Sequence, residues 1–269
     1  VFIMKKNLKQ YLLIALSIAS VTFPNLAHAD AKIIDESDVA KGIIKVNYST
    51  NYQSKYKLAI EKDGQKQYFD LAANTAQSFP LIYDNGSYTI KIMQNTSGNS
   101  YKSVYTQKID AYIADDTAMY LASTAAVNWS EQMMAIKKAE ELTKNLQTDK
   151  EKFDAIYNYV IKNYSYDYNK AATVKPGYMP DIEKIYESKS GICYDYSVLF
   201  ASMLRSQGIP AKVVKGSSTL VNEYHAWNEV FIDGNWIIVD TTVDAAYSAS
   251  KAPIATIKSS NQYTKTSEI

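Results

Sequence analysis

His225-Ala226-Trp227-Asn228-Glu229-Val230-Phe231-Ile232-Asp233-Gly234-Asn235-Trp236-Ile237-Ile238-Val239-Asp240 reads as two strands joined at Asp-Gly. That dipeptide between β-rich runs predicts a two-residue type I′ hairpin, whose loop positions both need positive φ. With Asp233 and Gly234 as the loop, Ile232 faces Asn235 and Trp227 lies opposite Asp240. Side chains alternate along a strand, so His225 shares the face of Trp227. His225 and Asp240 are then diagonal neighbours, roughly 7–8 Å apart between backbones, a gap their side chains can close. A three-residue loop would turn Asp240 to the opposite face. The pairing therefore hangs on the turn.

Upstream of the hairpin lies the lone cysteine, in Ser190-Gly191-Ile192-Cys193-Tyr194-Asp195-Tyr196. A helix is predicted from about Cys193 to Gln207, with Tyr196, Leu199, Phe200, Met203 and Leu204 on its apolar face. Gly208 sits at its C-cap position and Pro210 stops further winding. Cys193 falls in the first turn, where free N–H groups and the positive helix end stabilise a thiolate. The same N–H groups can donate to an oxyanion developing beside the sulfur. Ala211-Lys212-Val213-Val214 reads as a strand between this helix and the hairpin.

A single cysteine cannot form an internal disulfide. Cys193 is thus either a small core residue or a reactive thiol. Taken singly, His225 also reads as a hydrogen-bonded core histidine and Asp240 as a turn former at a strand end. Taken together they form the set that a cysteine nucleophile requires. The imidazole accepts the thiol proton and returns one to the leaving amine, while the carboxylate fixes its tautomer and orientation.

Residues from about Phe153 to Asp244 resemble the transglutaminase-like domain, a branch of the papain-like cysteine-nucleophile superfamily. The resemblance rests on three blocks: Gly191 to Tyr196 with Leu204-Arg205-Ser206-Gln207-Gly208-Ile209-Pro210, then His225 to Val230, then Gly234 to Thr242. It implies a nucleophile at Cys193, a base at His225 and an orienting carboxylate at Asp240. The family's usual Asp-Pro is Asp240-Thr241 here, a departure that touches the turn rather than the carboxylate. The side chain that assists the oxyanion varies in the family, and Tyr164, Tyr166 and Tyr178 are all candidates. No acidic run resembles the calcium sites of animal transglutaminases, so the resemblance implies neither a metal nor a cofactor.

Around this centre the chain divides by pattern. Residues 1–29 read as a signal peptide: Lys5, Lys6 and Lys9 before an apolar run from Tyr11 to Phe23, then Ala27-His28-Ala29 as a cleavage site. Cleavage removes His28, one of two histidines, and leaves a mildly acidic chain expected outside the cytoplasmic membrane of a bacterium. Residues 30–115 alternate with a period of two around turn signals at Asp63-Gly64 and Asn85-Gly86, which predicts an immunoglobulin-like β-sandwich. From 116 to 250 an α+β catalytic domain is expected. Glu131–Leu146 and Asp149–Asn163 read as helices, the second opened by a Thr148/Glu151 capping box. Residues 251–269 read as a polar tail.

The 269 residues are 46% hydrophobic and 21% charged, with a net charge of +1 and Arg205 as the sole arginine. That balance excludes a strongly basic nucleic-acid binder. Two classes of function remain. One is an exported enzyme that attacks amide bonds of a protein or peptide substrate through a thioester, the substrate belonging to the cell surface or wall. The other is a non-catalytic surface-binding module on a retained scaffold. A zinc site is weakly supported, since one cysteine and one histidine leave too few strong ligands.

Overall fold

Alternating apolar residues from Ile34 onward build the first half of the chain mainly from strands, with a short 3-10 turn at Val39–Lys41. The computed structural model describes residues 32–253 and 255–269, so the predicted signal peptide lies outside the described residues. Seven strands come first: β1 (Ile34–Asp35), β2 (Ile43–Val46), β3 (Tyr56–Lys62), β4 (Gln65–Leu71), β5 (Gln77–Pro80), β6 (Gly86–Ser97) and β7 (Ser100–Ala111). They form two antiparallel sheets, ordered β1-β2-β5 and β4-β3-β6-β7. The Asp63-Gly64 turn joins β3 to β4 with both residues at positive φ, as predicted. Asn85-Gly86 is not a hairpin. It lies where the chain leaves β5 in one sheet to start β6 in the other, and there the Tyr88 hydroxyl donates to the carbonyl of Asp84 at 2.7 Å. The composition of that corner signals a turn, but its partner strands are chosen by packing between the sheets.

The second half interleaves helices and strands: α1 (Met134–Thr143), α2 (Asp149–Asn163), β8 (Ser165–Tyr166), α3 (Tyr168–Thr173), α4 (Ile182–Ser188), β9 (Ser190–Gly191), α5 (Cys193–Ser206), β10 (Ala211–Ser218), β11 (His225–Ile232), β12 (Asn235–Val239), α6 (Thr241–Ser250) and β13 (Tyr263–Glu268). α2 starts on the predicted capping box between Thr148 and Glu151. α5 is buried on nearly all sides from Tyr194 to Arg205, which marks it as the central element of the core rather than a surface helix. It packs on a sheet ordered β12-β11-β10-β13. Fully buried Asn228 ties the two together, its Nδ2 donating to the carbonyls of Ser197 on α5 and Lys212 on β10, each at 2.9 Å.

Two expectations are corrected. Residues 251–269 are not a loose polar tail: Tyr263–Glu268 form β13, an edge strand antiparallel to β10. Its strand-forming content lies in Tyr263, Thr264 and Thr266, and Tyr263 and Ile269 are buried where the polar composition suggested solvent. Nor does the core divide near residue 115. Residues 32–269 make one compact unit, and a single cluster of buried apolar side chains runs from Leu58 and Phe79 in the first half to Phe200 and Val213 in the second.

Candidate active site

The Asp233-Gly234 turn sets the site's geometry. Both residues adopt positive φ, at 51° and 79°, and Ile232 pairs with Asn235, Phe231 with Trp236 and Asn228 with Val239. This is the register that the two-residue loop predicts. One step further, His225 and Asp240 meet: Nε2 of the ring lies 2.8 Å from Oδ2 of the carboxylate, with His225 4% exposed and Asp240 wholly buried.

Asp240 has three partners. Besides His225 it accepts the Tyr263 hydroxyl at Oδ2, 2.9 Å away, and the backbone N–H of Val243 at Oδ1, 3.1 Å away. The last bond makes Asp240 the N-cap of α6, so the residue that ends β12 also starts the next helix. Tyr263 comes from the segment read as a tail, and sequence reasoning missed it. Its signal was faint, one tyrosine ahead of alternating threonines. The Trp227 ring stacks on His225 and packs at a tilt against Tyr263, which restricts the imidazole further.

Cys193 opens α5 behind Ile192, whose extended backbone breaks the preceding chain. Gly191 is required just before it: a Cβ there would come within 2.6 Å of the Asp195 Cβ. Asp195 is fully buried and accepts the N–H of Ile192, the Tyr178 hydroxyl and the ammonium of Lys170, at 2.8, 2.5 and 2.6 Å. It therefore locks the start of α5 and does not serve His225. Asp244, the other nearby carboxylate, is taken by Tyr157 and Lys258.

Burial alone would lower the pKa of His225, but its bond to Asp240 and the adjacent Cys193 overcome that cost and raise it to about 9. His225 Nε2 is committed to the Asp240 carboxylate, and Cys193 and His225 line the same two cavities. Among the described residues, no three His, Cys, Asp or Glu side chains are grouped to hold a metal ion.

Two cavities meet at the thiol. The larger, about 540 Å³, is lined by Tyr166, Tyr168, Leu220, Val243 and Ala246 together with Cys193 and His225. The smaller, about 240 Å³, reaches Tyr178, Tyr194 and Lys215 from the same two residues, and Tyr224 borders both. Of the three tyrosines considered for the oxyanion, Tyr164 takes the ammonium of Lys189 and Tyr178 donates to Asp195. Tyr166 faces the larger cavity, held there because β8 pairs with β9 just before the helix. Burial first, and then the charge of Cys193, push Tyr166 up to about 12, so it keeps its proton.

Residues 136–241 match the family model of the transglutaminase-like superfamily. Human kyphoscoliosis peptidase is 29% identical over 128 residues, which are 42% of this chain and 19% of that protein. The chain thus spans about a fifth of the length of that curated relative. Two solved structures are similar in part. One, a TGase, shares 24% identity over 40% of this chain and 29% of its own, with a TM-score of 0.32. The other is the periplasmic domain of TgpA from Pseudomonas aeruginosa, at 16% identity over 81% of this chain and 98% of its own, with a TM-score of 0.39. Cys193, His225 and Asp240 all fall within the stretch, residues 136–241, that is similar to the transglutaminase-like superfamily.

Proposed function

We propose that the protein is an exported cysteine-nucleophile enzyme acting on amide bonds of protein or peptide substrates. The observation that carries this reading is the placement of His225, bonded through Nε2 to a buried carboxylate and flanking a thiol at a helix N-terminus. In the proposed cycle His225 holds the proton given up by Cys193, and the thiolate adds to the amide carbonyl. The first-turn N–H groups of α5 and the Tyr166 hydroxyl donate to the oxyanion. Collapse expels the amine with the proton from His225 and leaves a thioester, which water or a second amine resolves. Water gives hydrolysis and an amine gives an isopeptide cross-link. Asp240 orients the imidazole throughout, and Tyr263 positions Asp240.

Export rests on the leader pattern of residues 4–29. The strand orders β1-β2-β5 and β4-β3-β6-β7, with the Tyr88 hydroxyl bonded back across the corner before β6, support reading residues 34–111 as an immunoglobulin-like sandwich. Among the described residues no helix is long and apolar enough to cross a membrane.

The test is alkylation of Cys193 across pH, followed by mass spectrometry of products from a glutamine peptide with and without a primary amine. The expected result is rapid labelling at neutral pH, product formation by the unmodified protein and none by Cys193→Ala, whose melting temperature stays close to that of the parent. Full turnover by Cys193→Ala would end the cysteine-nucleophile reading, whereas slow labelling and no product from the unmodified protein would leave the binding-module alternative.

A further inference from the structure

Lys215 stands between two cavities near the thiol. Its backbone pairs with Ala226, next to His225 on β11, and its Nζ lies 3.5 Å from the centre of the Tyr194 ring. It lines the 240 Å³ cavity that reaches Cys193 and also a third, of about 190 Å³, that runs on to Tyr68 and Asp70 of the first half. Neighbouring lysines are paired: Lys57 with Asp70, Lys170 with Asp195, Lys212 with Glu268. Lys215 has no carboxylate or hydrogen-bond acceptor among the described residues. It is half-buried against an aromatic ring, and burial lowers its pKa while the nearby Cys193 works the other way.

A half-buried cation without an anion is costly, and more so at the positive end of α5, where Tyr194 is the second residue. The two sides of the thiol also differ in charge. Lys175 and Lys215 line the smaller cavity with no acid among its walls, whereas Glu223 supplies the carboxylate of the larger one. An extended substrate crossing Cys193 meets a cationic wall on one side and an acidic, apolar one on the other.

We infer that Lys215 anchors an anion subsite that takes a carboxylate of the peptide substrate, setting the direction in which the chain lies across Cys193. The inference deepens the proposed function and rests on it for the identity of the substrate. The competing role for Lys215 is to stabilise the thiolate itself, and the charge of a small reagent separates the two.

Iodoacetate and iodoacetamide alkylate a thiolate by the same step: the S–C bond forms, the C–I bond breaks and iodide leaves. They differ in charge. The ratio of their rates at Cys193 should fall about tenfold in Lys215→Met, the loss of one charge-assisted contact. A ratio unchanged by the substitution overturns the subsite, including the case in which both reagents slow equally. Binding is read separately by amide ¹H–¹⁵N spectra of the Cys193→Ala protein. The probes are N-acetylglutamic acid α-amide (side-chain carboxylate), N-acetylglutamine (main-chain carboxylate) and neutral N-acetylglutamine amide. Saturable shifts at Tyr194 and Ala226 with a carboxylate compound only, absent when Lys215→Met is added, are expected, and the responding compound identifies which carboxylate is taken. Equal shifts with all three, or shifts that survive Lys215→Met, overturn it. If Cys193 resists both alkylating reagents while these shifts saturate, the nucleophile falls and the subsite stands.

Discussion

At the residue scale, His225 sets the pH behaviour. Its folded pKa of about 9 lies above the ordinary 6.5, so the protonated ring contributes stability fully below about 6.5 and loses it as pH rises through about 9. The same titration removes the proton needed by the leaving amine. We expect kcat/KM to fall on the alkaline side with an apparent pKa near 9, and Asp240→Asn to move that limb toward lower pH while leaving measurable turnover. The change follows from loss of the carboxylate's charge, with the hydrogen-bonding shape largely kept. A profile of the variant superimposable on that of the parent would show that Asp240 does not govern the ring. The roles of Cys193, His225 and Asp240 could be argued beforehand because each rests on local rules of turn and cap chemistry. Tyr263, Asn228 and Asp195 could not, since each acts through a partner far along the chain.

At the scale of elements, β10 is the strand on which the sheet depends, paired to β11 on one edge and β13 on the other. Gly216 is a point of close approach between β10 and β13. The pairing register shifts between Lys215 and Gly216, and an added Cβ at Gly216 would meet the Thr264 carbonyl oxygen at 2.0 Å and the Trp227 ring at 3.0 Å. The clash is with backbone, so the neighbour cannot simply rotate away. Gly216→Ala should cost about 3 kcal/mol, read as a lower midpoint in denaturant, and should lower turnover as β13 is pushed off. An unchanged midpoint would mean that β13 is free to shift. The hairpin, α2 and α5 were legible because caps, turns and periodicity all agreed there. α3, α4, α6 and β13 were not, being short or polar and held by tertiary contacts rather than by their own pattern.

At the scale of the molecule, the site is assembled from distant parts of the sequence. α5 supplies the thiol, β11 the imidazole, the start of α6 the carboxylate, and β13 the phenol that positions it. A chain ending at residue 259 would keep Cys193, His225 and Asp240 yet lose β13 and its bond to Asp240. We expect such a truncation to be inactive toward amides and to lose thermal stability, whereas Tyr263→Phe in the full chain, which removes one hydrogen bond, should cost only about 1 kcal/mol. Full activity in the truncated chain would show that β13 is dispensable.

The position of β13 also imposes an order in time. A polypeptide that emerges N-terminus first displays its nucleophile, its base and the acid behind them some seventy to twenty residues before Tyr263 arrives. Until β13 docks along β10, Asp240 lacks the Tyr263 hydroxyl and Trp227 lacks its Tyr263 neighbour. For the proposed enzyme, synthesis would therefore pass through its most exposed stage before the carboxylate behind His225 is fully held, and the site would be complete only once β13 has joined the sheet.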